Sequence, residues 1–170
     1  CSVTANCTGF FSAVEEMTLP SGRLQKISNE NIFIDFAHTP DALEAVCSEL
    51  KKKNHKGLKL VFGAGGDRDQ GKRELMGNVA QKYAKKVYIT SDNPRFEKPE
   101  EIIEMIVAGI SDKDKVIIEP DRAEAISMAI SELNKDEILL ITGKGHEEYQ
   151  IIGNEKKPFS DYEEILKCIK

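Results

Sequence analysis

From about Asn31 onward the chain alternates two kinds of apolar pattern. Short, mostly apolar runs stand at Asn31-Ile32-Phe33-Ile34-Asp35-Phe36, Leu58 to Phe62, Lys86 to Thr90, Val116 to Ile118 and Ile138 to Thr142. These read as strands buried on both faces. Between them, apolar residues recur every three or four positions, predicting helices over Asp41–Lys53, Gly71–Lys85, Pro99–Ile110 and from Asp121 to about Leu133. In the first helix Leu43, Val46, Cys47 and Leu50 share a face, and lysines fill the last turn, where the dipole favours them. The second points Leu75, Met76, Val79 and Tyr83 inward. Pro99 suits a first helical turn, Asp121 can cap, and Ser160 with Glu163 has capping-box spacing at a last helix. Tyr149 to Ile152, followed by Gly153-Asn154, suggests a final edge strand running antiparallel. Such alternation predicts an α/β fold: a Rossmann-like, doubly wound, mostly parallel sheet with helices on both faces. Residues 1–25 fit none of this and carry a Leu19-Pro20-Ser21-Gly22 loop. They read as a linker or the tail of a preceding domain, with residues 26–170 forming the folded unit.

Composition narrows the function. Of 170 residues, 40% are apolar and 31% charged, enough for one core and a well-hydrated surface. Twenty-four basic against 29 acidic residues leave a net charge of −5, which argues against a nucleic-acid domain. No apolar run approaches the ~20 residues that span a bilayer. Cys1 to Phe11 lacks the build of a signal peptide, and a start at Cys rather than Met suggests a piece of something longer. Cys1, Cys7, Cys47 and Cys168 form no C-x-x-C pair, and the last two fall on apolar helical stripes. Free buried thiols, no metal site and a cytoplasmic location are therefore expected.

In a parallel sheet every strand-to-helix loop leaves at the same edge, so four polar loops should converge. Ser91-Asp92-Asn93-Pro94-Arg95 offers a carboxylate, an amide and a guanidinium whose planar fork suits a carboxylate. Asp35-Phe36-Ala37-His38-Thr39-Pro40 places an acid where it can accept from ribose hydroxyls, and a histidine at a helix start. Gly63 to Arg73 fails both phosphate-loop fingerprints: Arg73 stands where a Ser or Thr would bind magnesium, and Arg68 where the last glycine belongs. Arg68, Lys72 and Arg73 still make that loop positive, though a solvated charged turn explains it equally well. In Gly143-Lys144-Gly145-His146-Glu147 the glycines permit close approach, Glu147 can accept an ammonium, and Lys144 and His146 can favour anions.

Together, Asp35 to Leu43, Phe62 to Arg73, Asp92 to Arg95 and Gly143 to Gln150 resemble, in order, the motifs of the Mur ligases. The likeness is to the branch that adds the third peptide residue to a UDP-N-acetylmuramoyl dipeptide, and covers roughly Gly22 to Lys170. It implies the carboxy-terminal domain of a three-domain enzyme that uses ATP and Mg to make an amide through an acyl phosphate. The phosphate loop, magnesium ligands and a carbamylated lysine would lie in the absent central domain, so the fragment alone should not turn over. The resemblance implies that Asp35 and Arg23 hold the nucleotide, with His38 nearby. It also implies that Arg68, Asp92, Asn93, Arg95, Gly143 and Glu147 bind the incoming amino acid. Arg95 favours meso-diaminopimelate, which has a distal carboxylate, over lysine, which has none. Phe36 and Ala64 depart conservatively from the family's usual tyrosine and cysteine. The alternatives are a lysine-adding relative, a folylpolyglutamate synthetase, and a non-catalytic Rossmann-like binding module.

Overall fold

Continuous apolar strands need cover on both faces, and the computed structural model, which describes residues 24–27, 31–53 and 56–169, provides it. In chain order the elements are β1 (Gln25–Ile27), β2 (Ile32–Asp35), α1 (Pro40–Lys53), β3 (Leu58–Phe62), α2 (Gly71–Tyr83), β4 (Lys86–Ile89) and α3 (Pro99–Ala108). A short 3-10 turn at Lys113–Lys115 leads into β5 (Val116–Ile118), α4 (Arg122–Ser131), β6 (Ile138–Thr142), β7 (Tyr149–Ile152), β8 (Glu155–Pro158) and α5 (Asp161–Cys168). Six strands form one sheet in the order β1-β2-β6-β3-β4-β5, parallel except for β1.

Side chains alternate along each strand, so each apolar run serves two cores. Leu60, Phe62 and Leu140 face α1, α2 and α3, meeting Leu43, Leu50, Met76 and Ile106. Val61, Leu139 and Ile141 face the other way, toward Ala125, Ile126 and Ala129 of α4 and Ile165 of α5. The doubly wound sheet is therefore as expected. Asp121 caps α4, its carboxylate accepting from the backbone of Ala123 and Glu124, and Ser160 caps α5 by accepting from Glu163. Among the described residues no helix is long and apolar enough to cross a membrane.

Three expectations are corrected. The antiparallel edge strand is β1, while Tyr149–Ile152 pairs with Glu155–Pro158 in a separate hairpin. That hairpin answers to the loop after β4 rather than to the sheet. Leu75 is exposed, and the inward face of α2 is Arg73, Met76, Gly77 and Ala80. The cause is Gly77: a side chain there would collide with the Ile106 carbonyl, so α3 can approach α2 only over that face. Cys168 is exposed as well, because α5 packs through Ile165, Leu166 and Ile169; Cys47 is buried as expected. Cys1, Cys7 and Arg23 lie outside the described residues.

Candidate functional site

All four loops open at the carboxyl edge of the sheet into one cavity of about 490 Å³. Arg68, Asp92, Asn93, Arg95, Gly143, Glu147 and His38 line it together, whereas Asp35 does not. Adjacent loops are tied by backbone bonds. Gly66 N–H donates to Asn93 O at 2.9 Å, and Gly143 N–H to Asp35 O at 3.2 Å. Gly66 must lack a side chain, since a Cβ there would collide with the Pro94 carbonyl oxygen. Gly66→Ala is accordingly expected to destabilise the domain by about 1–3 kcal/mol, read as a lower thermal midpoint. An unchanged midpoint would mean that the two loops are not packed this way.

The loop after β4 owes its shape to the β7–β8 hairpin. Asn93 Oδ1 accepts from Ile151 N–H at 2.9 Å, and Gln150 Nε2 donates to Asp92 O at 2.8 Å. Arg95 N–H donates to Ile151 O at 3.0 Å, and Arg95 O accepts from Gly153 N–H at 2.7 Å. Those bonds hold Arg95 at φ 51°, a left-handed conformation that a non-glycine residue adopts only when its surroundings impose it. Its guanidinium reaches Gly66 O through Nη1 at 2.8 Å. Among the described residues Nε and Nη2 of Arg95 have no hydrogen-bond partner. Arg68 is exposed, flanks Gly65 together with Arg95, and has no hydrogen-bond partner for its guanidinium among the described residues.

The acidic side of the cavity is built differently. Asp92 is buried, its Oδ1 has no hydrogen-bond partner, and a Cβ at Gly143 would stand 3.1 Å from its Oδ2. Burial pushes the Asp92 pKa upward, and the nearby Arg122 and Lys144 pull it back. Glu147 accepts from Asn93 Nδ2 at 3.0 Å and stands only partly buried. Lys144, read from sequence as a group for anions, is instead completely buried. Its ammonium lies 3.2 Å from Asn93 Oδ1, 3.3 Å from Glu147 and 3.6 Å from Asp92.

Two buried arginines that sequence reasoning missed brace the edge. Arg122 forms a two-pronged pair with Asp161 at 2.8 Å on each prong, and donates to Ser91 O and Thr142 O at the ends of β4 and β6. Arg73, read from sequence as one of three charges of a positive loop, pairs with Glu97 at 2.7 and 2.8 Å and joins the second loop to the third. The Arg73 hydrogen bonds hold the Glu97 carboxyl down to about 2. A carboxylate with a depressed folded-state pKa stabilises the fold above its unfolded value and loses that contribution as pH falls. Between about pH 4.5 and 2, stability should drop by on the order of 2 kcal/mol through this group, and Glu97→Gln should flatten that limb in acid unfolding curves.

The nucleotide candidates sit on the first loop. Asp35 accepts from Leu24 N–H and Ala37 N–H, each at 2.7 Å, so its carboxylate already fixes the start of the domain. His38 Nδ1 lies 2.9 Å from Phe36 O. A carbonyl can only accept, so Nδ1 carries the proton and a neutral ring leaves Nε2 as an acceptor. Phe36 stacks edge-on against His38. A hollow of about 620 Å³ lies between β2 and the start of α5, lined in part by Gly145 and His146 of the fourth loop.

Comparison with known proteins agrees with the motifs. Residues 22–145 match the family model described as Mur ligase, glutamate ligase domain. A Rickettsia rickettsii protein named UDP-N-acetylmuramoyl-L-alanyl-D-glutamate–2,6-diaminopimelate ligase is 51% identical over 91% of this chain and 33% of its own length. A solved structure of a ligase of that name superposes with a TM-score of 0.81 at 42% identity, over 88% of this chain and 31% of the other. The folylpolyglutamate synthase of Thermotoga maritima shares only the fold, with a TM-score of 0.54 at 23% identity over 74% of this chain and 28% of the other. The chain thus spans about a third of the length of the diaminopimelate ligases it matches. With four ordered motifs meeting at one sheet edge and a family match over most of its length, the chain belongs to the Mur ligase family.

Proposed function

We propose that the chain is the carboxy-terminal, amino-acid-binding domain of an ATP-dependent ligase that joins meso-diaminopimelate to UDP-N-acetylmuramoyl-L-alanyl-D-glutamate. Residues 26–170 are that domain, and 1–25 link it to a central domain. The observation that carries this is the pairing, inside one cavity, of an unengaged Arg95 guanidinium edge with the Asp92 and Glu147 carboxylates. A ligand bearing both a carboxylate and an ammonium satisfies the two walls at once. Lysine's distal end would leave the guanidinium unpaired, and a site built to hydrogen-bond a group rejects analogues that lack it.

Arg95 and Arg68 hold carboxylates of the amino acid, Asp92 and Glu147 take its ammonium with Asn93 orienting Glu147, and Gly143 lets the ligand approach the backbone. These groups bind and orient the amine so that it meets the activated carboxyl of the dipeptide. Asp35, His38 and Arg23 contact the ribose end of ATP. Among the described residues no cluster of His, Cys, Asp or Glu suits a metal. Magnesium and the phosphates belong to the central domain, which, with the amino-terminal domain, is this chain's partner in the full-length protein. Such an enzyme works on soluble precursors in the cytoplasm, with no nucleic acid and no membrane span.

The test is phosphate release by the full-length ligase given ATP, magnesium and the UDP-linked dipeptide, with meso-diaminopimelate and lysine compared side by side. Release with diaminopimelate alone is expected, and none from the 170-residue chain. Release with lysine instead would keep the ligase and overturn the substrate; release with neither would overturn both.

A further inference from the structure

A buried lysine with no route to solvent is costly unless carboxylates compensate it, and here two do. Lys144 lies behind the cavity wall, fully covered, with its ammonium 3.3 Å from Glu147 and 3.6 Å from Asp92. Its third partner, Asn93 Oδ1 at 3.2 Å, also accepts the Ile151 N–H that docks the hairpin. One ammonium thus touches three of the residues proposed to receive the ligand, which arrive on two separate loops. Lys144 offsets one of the two carboxylates; Arg122, which also acts on Asp92, is shared with Asp161, and the Arg95 and Arg68 guanidiniums line the same cavity for the ligand's carboxylates.

We infer that Lys144 is a positioning residue for amino-acid selection: it aligns Glu147 and Asn93 and offsets one of the two carboxylates, leaving the other to meet the ligand ammonium. This rests on the proposed amino-acid site and adds what that reading lacks, a reason for a cation among ammonium-binding groups. Lys144 itself never touches the ligand. Without it, Asp92 and Glu147 would face each other with only Arg122, itself held by Asp161, for compensation. Asp92 would then bind a proton more readily and accept less well from an ammonium. Burial already pushes Asp92 in that direction. The Tyr149 ring lies 5.9 Å from the Lys144 ammonium, and the Lys156 ammonium stands 4.3 Å from the same ring.

The test is steady-state kinetics of the full-length ligase carrying Lys144→Met and Lys144→Arg, with KM for meso-diaminopimelate and for ATP measured from pH 6 to 9. In Lys144→Met, KM for diaminopimelate should rise roughly 30-fold at pH 7 and recover as pH rises, while KM for ATP stays within about twofold. Lys144→Arg, which keeps the charge, should restore most of the affinity and the wild-type pH profile. A rise that is equal for both substrates, or that ignores pH, would make Lys144 merely structural and overturn the inference. If Lys144→Met does not fold, Lys144→Gln keeps a donor toward Asn93 without the charge and must show the same pH-dependent rise. If neither folds, the wild type labelled with 15N-lysine decides. An exchange-protected ammonium resonance that shifts with diaminopimelate but not with ATP supports the role, and its absence overturns it. Wild-type enzyme with no diaminopimelate-dependent release sinks the substrate reading and this inference with it. Normal wild-type release with unmoved variants sinks this inference alone.

Discussion

Arg95→Ala is expected to raise KM for meso-diaminopimelate by roughly 30-fold or more in the full-length ligase, leaving KM for ATP within about twofold. The size follows from truncating one partner of a largely desolvated charge pair, which costs about 2–5 kcal/mol. The selectivity follows from geometry. Arg95 lines the cavity with Asp92 and Glu147, while Asp35 stands outside it. The main-chain bonds between Arg95 and the hairpin survive truncation, so the loop keeps its anchor to Ile151 and Gly153. What disappears is the guanidinium edge and its bond to Gly66 O. Arg95→Lys should recover only part of the loss, because a single ammonium cannot reproduce a two-pronged match to a carboxylate. Equal weakening of ATP and diaminopimelate would mean that Arg95 braces the loop instead of meeting the ligand.

The second large effect is on stability. Breaking the Arg122–Asp161 pair by Asp161→Leu should destabilise the 170-residue chain by about 3–5 kcal/mol, because it leaves a buried guanidinium without its ion-pair partner. Both side chains are fully inaccessible, and they connect the start of α4 to the start of α5. Arg122→Met should cost a comparable amount, since the buried Asp161 then loses its partner. The double change Arg122→Met with Asp161→Leu should cost far less than the sum, as apolar replacement of a buried pair is often nearly neutral. Urea unfolding of the four proteins measures this; additive losses would show that the two groups are not coupled. The double variant should still weaken diaminopimelate binding, because Ser91 O and Thr142 O lose the donors that hold two site loops.

The five parallel strands, the helices and the meeting of the loops were legible because period and punctuation agree. Apolar runs closed by glycine or proline can be little else in a chain that alternates so regularly. The buried charges were not, although a signal existed. Arg73 precedes Met76, Gly77 and Ala80 at the spacing of one helical face, and Arg122 does the same with Ala125, Ile126 and Ala129. An arginine that falls in register with an apolar stripe at the start of a helix is placed to be buried there. Its partners, Glu97 and Asp161, lie 24 and 39 residues away, and periodicity carries no information over such distances. Lys144 was misread for a related reason. A glycine-flanked lysine after a strand suggests an exposed anion-binder, and only tertiary packing turns its side chain inward. The hairpin escaped because Glu155 to Pro158 is exposed throughout and has no apolar alternation to announce a strand.

The position of β6 has a consequence for how the molecule comes into being. It is the last strand of the main sheet to leave the ribosome, yet it lies between β2 and β3, which do not pair with each other. Until residue 142 has been made, the sheet is two fragments with a gap, and each exposes an edge meant for an interior strand. Folding must therefore wait for late, long-range contacts, which slows it. The same strand delivers Gly143, Lys144 and Glu147 as it inserts. The cavity waits longer still, because the loop after β4 is held by the β7–β8 hairpin, so the folded sheet precedes the finished binding site.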